Sequence, residues 1–218
     1  MLSVVVPALN AGATLSATLG SVAGVDEVVV VDGGSVDDTR AVALSAGARV
    51  IEAERGRGRQ LRAGAGAAAG DWLLFLHADT RLSCGWREAV AAHLRTSPDA
   101  AACFRLRLDD PAWQARAIER GVALRVALLG LPYGDQALLV PRALYEAAGG
   151  YPPVPLMEDV ALVRSIGRRR LRVLAADAVT SADRWRRDGW WRRSAKNLSC
   201  LALHGLGVRP EAIARLYG

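Results

Sequence analysis

The stretch Glu27-Val28-Val29-Val30-Val31-Asp32-Gly33-Gly34-Ser35 decides the fold. Its uninterrupted valines lack the alternation of a half-exposed strand and predict a strand covered on both faces, Glu27–Val31. Asp32 and the two glycines end that strand as a turn, and helical spacing begins at Asp37 and runs to Ala46. Upstream, Leu2–Pro7 is a second β-branched apolar run, followed by a helix over Thr14–Val22. Downstream come a strand at Arg49–Ile51, an alanine-rich helix at Gln60–Ala69 and a strand at Trp72–Leu76 that stops at His77-Ala78-Asp79. Strand and helix alternating at this spacing predict βαβ units, hence an α/β fold whose mostly parallel sheet carries helices on both faces.

Beyond residue 100 the rhythm loosens. The spacing predicts helices over Trp86–Leu94, Ala112–Leu129, Arg142–Ala147 and Met157–Ile166, and strands over Ala101–Leu108, Ala137–Val140 and Leu171–Leu174. An amphipathic helix is expected from Arg186 to Leu203. No repeat or linker interrupts the chain. The expectation is a single domain over 1–218, with a ligand-binding half at 1–100, a second half at 101–185 and a basic helical tail at 186–218.

The 218 residues are 51% hydrophobic and 23% charged, which excludes a disordered chain. Cys84, Cys103 and Cys200 form no CxxC pair, which excludes a disulfide scaffold or zinc finger and suits a reducing compartment. Met-Leu-Ser-Val-Val-Val-Pro lacks a basic leader region and reads as a strand rather than a signal peptide. Val122–Pro141 contains Arg125, Pro132 and Asp135 and is a poor membrane span. A cytoplasmic protein is expected. Arginine supplies 27 of the 28 basic residues behind the net charge of +6. Ten of these arginines fall between residues 164 and 193, against Asp177, Asp183 and Asp188, which predicts one basic surface and an anionic partner.

In open α/β sheets ligands bind beyond the carboxyl ends of the parallel strands, so the polar residues that stop strands are the first candidates. Asp32, next to two glycines and ahead of a helix N-terminus, can accept an N–H from a base or hydroxyls from a ribose, or can simply cap the turn. Asp79 can hold Mg²⁺ or Mn²⁺ against a diphosphate, since hard cations prefer oxygen, or can cap the helix that follows. His77 is either a ligand or a hydrogen-bonded strand-end histidine. Glu158-Asp159 opens a helix, where acids suit the dipole, and is equally placed to supply a general base. Gly56-Arg57-Gly58 starts like GxGxxG, but Leu61 occupies the third glycine position and the motif follows the third strand, which disfavours a dinucleotide fold. No GxxxxGK[ST] or GxSxG is present, and His77, His93 and His204 fit no hydrolase order.

Val4-Val5-Val6-Pro7-Ala8-Leu9-Asn10, Val31-Asp32-Gly33-Gly34-Ser35-Val36-Asp37-Asp38-Thr39, Leu76-His77-Ala78-Asp79 and Met157-Glu158-Asp159, taken in order, resemble family 2 glycosyltransferases, inverting sugar-nucleotide enzymes of the GT-A fold. Gly56-Arg57-Gly58-Arg59-Gln60, Phe75-Leu76-His77-Ala78-Asp79-Thr80 and Tyr133-Gly134-Asp135-Gln136 further resemble a short radical-SAM/selenodomain-associated subgroup of arsenosugar-biosynthesis type. The likeness covers about residues 1–190. It implies a GT-A, Rossmann-type sheet and a nucleoside-diphosphate sugar donor, most simply a UDP-sugar. Pro7, Ala8 and Asn10 would line the base, Asp32 would accept its imide N–H, and Arg57, Gln60, His77 and Ala78 would lie near the nucleotide. Asp79 would bind Mn²⁺ or Mg²⁺. Gly134, Asp135 and Gln136 would approach the donor sugar or a small-molecule or lipid acceptor. Asp159 would be the catalytic base, with Glu158 beside it.

The chain departs from the family pattern at three points: Ala11 replaces the usual Glu, His77-Ala78-Asp79 has one carboxylate where DxD has two, and Arg62 replaces a frequent Asn. In Arg184-Trp185-Arg186-Arg187-Asp188-Gly189-Trp190-Trp191-Arg192-Arg193, three readings stand: contact with the inner membrane face, closure of Arg184 and Trp185 over a diphosphate, or tryptophans packed on the core. The alternatives are a nucleotidyltransferase, or a basic protein that binds nucleic acid or a membrane surface without catalysis. Nucleic acid is not an expected partner, because no recognised module is present and acidic strand ends repel phosphates.

Overall fold

The computed structural model describes residues 1–217. Four parallel strands form one half of an eight-stranded sheet: β1 (Leu2–Ala8), β2 (Glu27–Asp32), β3 (Arg49–Glu52) and β4 (Trp72–Phe75), in spatial order β3-β2-β1-β4. Helices α1 (Gly12–Ser21), α2 (Thr39–Ser45) and α3 (Arg57–Ala67) connect them. The apolar runs of β1, β2 and β4 are buried on both faces as a covered parallel sheet requires, while β3, at the sheet edge, is half-buried. Val5, Val29, Val31, Leu73 and Phe75 enter one core cluster, while Val4, Val6, Val30 and Leu74 enter the other.

The second half is mixed. β6 (Ala101–Leu108) and β8 (Leu171–Thr180) pair in parallel, whereas β7 (Leu138–Pro141) runs antiparallel to both β4 and β6. A short strand unanticipated from the sequence, β5 (Thr80–Leu82), closes the far edge antiparallel to β8. The full order is β3-β2-β1-β4-β7-β6-β8-β5. The antiparallel pairs thus lie in the second half, and parallel pairing dominates only in the first. β8 extends well beyond the expected Leu174 because Leu174, Ala176, Ala178 and Thr180 are buried in alternation between two partner strands. Tertiary pairing overrides the low strand preference of alanine there.

Only Leu76–Asp79 connect β4 to β5, although three strands lie between them in the sheet. Four strand spacings of a flat sheet amount to roughly 19 Å. The five chain steps from Phe75 to Thr80 reach at most about 17–18 Å when fully extended. The sheet therefore curls, and His77-Ala78-Asp79 crosses over the carboxyl ends of the strands. The Thr80–Thr180 hydroxyl pair (2.7 Å) and the Ser181 N–H to Asp79 carbonyl bond (3.1 Å) fasten the crossing to the end of β8.

The remaining helices are α4 (Trp86–Thr96), α5 (Trp113–Leu129), α6 (Arg142–Ala147), α7 (Glu158–Ile166), α8 (Asp183–Asp188), α9 (Trp190–Gly205) and α10 (Pro210–Tyr217). The single helix expected over Arg186–Leu203 is broken at Gly189, whose φ of 85° is left-handed. Nor do the ten arginines of residues 164–193 form one surface. Arg168 and Arg172 lie at the start of β8, with Arg168 donating to the Ala127 carbonyl near the end of α5. Arg184 and Arg186 lie beyond its other end, across a ten-residue strand that is roughly 30 Å long.

α3 packs against β1 and β2 through Gly64, where a methyl group would overlap Val5 Cγ1 and approach Val31 Cγ2 to 2.7 Å. Gly66, on the same helix, faces open space. Gly64→Ala is expected to destabilise the fold by about 1–3 kcal/mol through overpacking, despite alanine's better helix propensity. Gly66→Ala should stabilise it by about 0.5–1 kcal/mol. Urea unfolding of both variants checks this; stabilisation by Gly64→Ala would show that the helix–sheet contact is not close-packed.

Candidate active site

The carboxyl ends of β1 and β4 open into one continuous cleft with two lobes. The first lobe is bounded by Pro7–Ala11, by Arg55, Arg57 and Gln60 from the start of α3, and by Arg184 and Arg187 from α8. The second is bounded by Tyr133–Asp135, Met157–Asp159, Trp185, and Arg193 and Asn197 from α9. Arg57, His77, Asp79, Ser181 and Arg184 line both.

Local backbone chemistry holds the first lobe together. Asn10 has a φ of 50°, accepts the Val36 N–H on Oδ1 (3.0 Å) and gives its own N–H to Ser35 Oγ (2.9 Å). The Ala11 N–H is bound by Thr39 Oγ1 and the Gly12 N–H by Asp37 Oδ2. Thus the loops after β1 and β2 are laced together. Gln60 is buried, and its amide donates to the carbonyls of Ala8 and Val31, tying the ends of the same two strands. Asp32 is also buried; its carboxylate accepts the Ser35 N–H, and it sits behind the lobe rather than among the lining side chains. Gly56, at φ 140°, and Gly58 start α3 earlier than expected. A side chain at Gly58 would collide with the Pro152 carbonyl, so the glycine lets α3 abut the 152–158 loop and carry Arg57 into the cleft. Arg62 reaches the Tyr151 carbonyl at 3.4 Å and braces that loop from the other side.

The second lobe concentrates charge. Arg57 Nη1 lies 3.5 Å from the buried Glu158 Oε1, and Arg184 Nη2 lies 3.8 Å from Asp79 Oδ2. Asp159 Oδ2 accepts the Gly134 N–H (2.8 Å) and Oδ1 the Val160 N–H (2.7 Å). Burial, then the neighbouring Asp159, pushes Glu158 up to about 7. Burial likewise pushes Asp135 up to about 6, and its Oδ1 has no hydrogen-bond partner. His77 is held well below its ordinary value by burial and then by Arg57 and Arg184, so it is neutral near pH 7. Its ring packs against Gly134, where no side chain would fit. Tyr133, under the Arg125 guanidinium at 3.5 Å, is pushed up to about 12 chiefly by burial and stays protonated.

Among the described residues, the non-glycine positions at positive φ are Asn10, Ala137 and Met157, each beside one of these motifs. Backbone strain of this kind costs of order 1–3 kcal/mol per residue and gathers where a site over-determines geometry. Met157 (φ 65°) turns the chain so that Glu158 and Asp159 open α7 with their acids at its positive end.

Of the residues singled out from the sequence, the cleft brings together Pro7, Ala8, Asn10, Arg57, Gln60, His77, Ala78, Asp79, Gly134, Asp135, Glu158, Asp159, Arg184 and Trp185. Gln136 is not among them. Its side chain turns inward, donating to the Phe104 carbonyl (3.1 Å) and accepting from Arg125 (3.3 Å). Tyr133, Ser181, Arg193 and Asn197 line the cleft without having been singled out. Ser181 would have stood out as a strand stop had β8 been read to its true end.

No three His, Cys, Asp or Glu side chains among the described residues stand together as a metal cage. The residues fit a cation that one carboxylate holds and that ligand oxygens and water complete, a common arrangement for Mg²⁺-like ions. The unpartnered Asp135 oxygen and the carboxyl groups raised chiefly by burial mark a lobe whose acids are poorly solvated.

The sequence profile of Glycosyl transferase family 2 matches residues 3–135. Glucosyl-3-phosphoglycerate synthase of Mycobacterium tuberculosis is 37% identical over 92 residues, 36% of this chain and 28% of that protein. A PGL/p-HBAD biosynthesis glycosyltransferase of Mycobacterium bovis is 40% identical over 93 residues, 38% of this chain and 36% of that protein. These matches therefore span well under half of either relative. The synthase crystallised with Mn²⁺, UDP-glucose and phosphoglyceric acid superposes with a TM-score of 0.57 at 24% identity, over 79% of this chain and 69% of that one. S. aureus TarS 1–349 with UDP-GlcNAc superposes with a TM-score of 0.64 at 18% identity, over 82% of this chain and 58% of that one. These two superpositions establish a shared GT-A fold, and with residues 3–135 inside the profile match the chain belongs to glycosyl transferase family 2.

Proposed function

We propose that the protein is an inverting glycosyltransferase that moves a sugar from a UDP-sugar to a hydroxyl acceptor. The observation that carries this reading is a single cleft in which Asp79, at the strand ends, lines both the lobe bounded by the Pro7–Asn10 loop and the adjoining lobe that Asp159 lines from the start of α7. Family membership and the UDP-bound relatives support the donor class. The Gly56–Gln60 and Tyr133–Gln136 motifs support a place in the short radical-SAM/selenodomain-associated subgroup.

The nucleoside occupies the first lobe, with its base against Pro7, Ala8 and Asn10 and with Asp32 behind. Arg57 and Arg184 face the diphosphate. Asp79 would hold a divalent ion, Mn²⁺ or Mg²⁺, which would supply charge neutralisation to the leaving group. Asp159 takes the proton of the acceptor hydroxyl as its oxygen bonds to the anomeric carbon. The bond from that carbon to the diphosphate oxygen breaks in the same displacement, and the electron pair leaves with the nucleoside diphosphate. The Gly134 N–H orients Asp159 for this step. Glu158, buried and paired with Arg57, leaves that proton to Asp159. A positioned base contributes about 10²–10⁴-fold.

Asp159→Asn is therefore expected to bind UDP-sugar as the wild type does and to lose about 10²–10⁴-fold in turnover. Chromatographic release of nucleoside diphosphate, together with calorimetric donor binding, reads both. Undiminished turnover would remove Asp159 as base, and release of inorganic pyrophosphate would make the enzyme a nucleotidyltransferase.

Asp135 makes the electrostatic state of the metal-free site measurable. Its folded value of about 6 lies above the ordinary 3.8, so the native state binds more protons between those values. Its contribution to stability is intact below about pH 4 and is lost as pH rises towards 6. In chelator-treated protein, Asp135→Asn should match the wild type near pH 4, gain on it through pH 4–6 and keep a constant advantage above. Urea unfolding at a series of pH values tests this; a pH-independent difference would contradict the buried carboxylate.

A further inference from the structure

Helix α9 has two contrasting faces. Its inner face carries Arg193 and Asn197 into the second lobe of the cleft and Cys200 into the core. Its outer face carries Trp191, Ala195, Leu198 and Ala202, with Leu206 just past its end, at the three- and four-residue spacing of one helical stripe. Trp191, Leu198 and Leu206 are 56%, 58% and 81% exposed. Apolar side chains repeated along a stripe differ from the scattered exposed leucines of any surface. The stripe continues onto α5, because the Trp113 ring lies 5.7 Å from that of Trp191, and α5 exposes Leu124 and Leu128 further along.

We propose that the outer faces of α9 and α5 dock on a bilayer containing anionic lipid. Charge selects this occupant. Apart from Arg193, which turns into the cleft and pairs with Asp188, residues 190–217 carry Arg192, Lys196, Arg209 and Arg215 against a single acid, Glu211. Tryptophan at one end, aliphatic side chains along the middle and basic groups at the rim are the composition of a helix lying in a membrane interface. Each basic residue near an anionic surface contributes attraction. A second copy of this chain is disfavoured as the occupant, because isologous pairing would set the same basic rims against each other. Nucleic acid would need cations along the centre of the track, where this surface is apolar. No helix among the described residues is long and apolar enough to cross a membrane, so the surface lies on the bilayer. Docked in this way, the helix that walls the second lobe of the cleft rests on the lipid. The docking surface stands apart from the glycosyl-transfer reading, and loss of either leaves the other measurable.

Co-sedimentation of the full chain with vesicles of phosphatidylcholine, with and without phosphatidylglycerol, tests the proposal. Binding is expected to the anionic vesicles, weakened by added salt and accompanied by a blue shift of tryptophan emission. Trp191→Ser combined with Leu198→Ser should lower the partition coefficient by at least about tenfold, with circular dichroism and UDP binding unchanged. Leu206→Ser alone, at the most exposed position, should lower it by about threefold and guards against misfolding of the double variant. Absence of binding to anionic vesicles, or binding indifferent to all three substitutions, overturns the proposal. A concentration-dependent dimer that the same substitutions split would give the surface to a second copy and would likewise overturn it.

Discussion

Four residues, Leu76–Asp79, carry the chain from the middle of the sheet to its far edge, and the rest of the molecule answers to that short tether. It is too short to span a flat sheet, so the sheet curls. Curling brings the end of β8 over the ends of β1 and β4, where Thr180 and Ser181 bond to Thr80 and Asp79. The crossing residues cannot retreat into the core, and His77 and Asp79 therefore stand in the cleft. Gly134 lacks a side chain because the His77 ring occupies that space, and its N–H then falls on Asp159. A covalent constraint on one loop thus sets the relation between two acids that are eighty residues apart in sequence.

The cost of this arrangement is electrostatic. Asp79, Asp135, Glu158 and Asp159 share a lobe with Arg57, Arg184 and Arg193. Arg57 is the pivot. Burial opposes its charge, yet Glu158, Asp159, Asp79 and Asp135 together outweigh that and hold it above its ordinary value. Asp135, with one oxygen unpartnered, is raised to about 6 chiefly by burial. A folded protein tolerates such a group when a ligand later supplies a countercharge, and a cation with a diphosphate is a ligand of that kind.

The first half of the fold was legible because β1, β2 and β4 are buried on both faces, so valine and leucine runs declare them and Asp32 and Asp79 mark where β2 and β4 stop. The second half resisted because its elements depend on partners. β5 is three residues long and exists by pairing with β8, and β8 contains three alanines that no strand preference would select. Reading β8 short hid Ser181, and missing the break at Gly189 hid the turn that brings Arg193 and Asn197 to the cleft. Gln60 and Gln136 show the complementary limit. Both read as polar residues within ligand motifs, yet Gln60 ties two strand ends while still reaching the lobe, and Gln136 is spent on Phe104 and Arg125. Whether an amide faces a ligand or a backbone carbonyl depends on tertiary packing that local sequence does not encode.

The proposed metal-assisted diphosphate site turns on Asp79, which the curled crossing carries into the cleft. Thermal unfolding with UDP in the presence and absence of Mn²⁺ tests it most directly, since a ligand that binds only the folded state raises its stability by mass action. The account predicts that UDP raises the midpoint of the wild type strongly with Mn²⁺ and weakly without it, and that Asp79→Ala abolishes the difference. Equal stabilisation by UDP with and without Mn²⁺ in both proteins, or none in either, would contradict it.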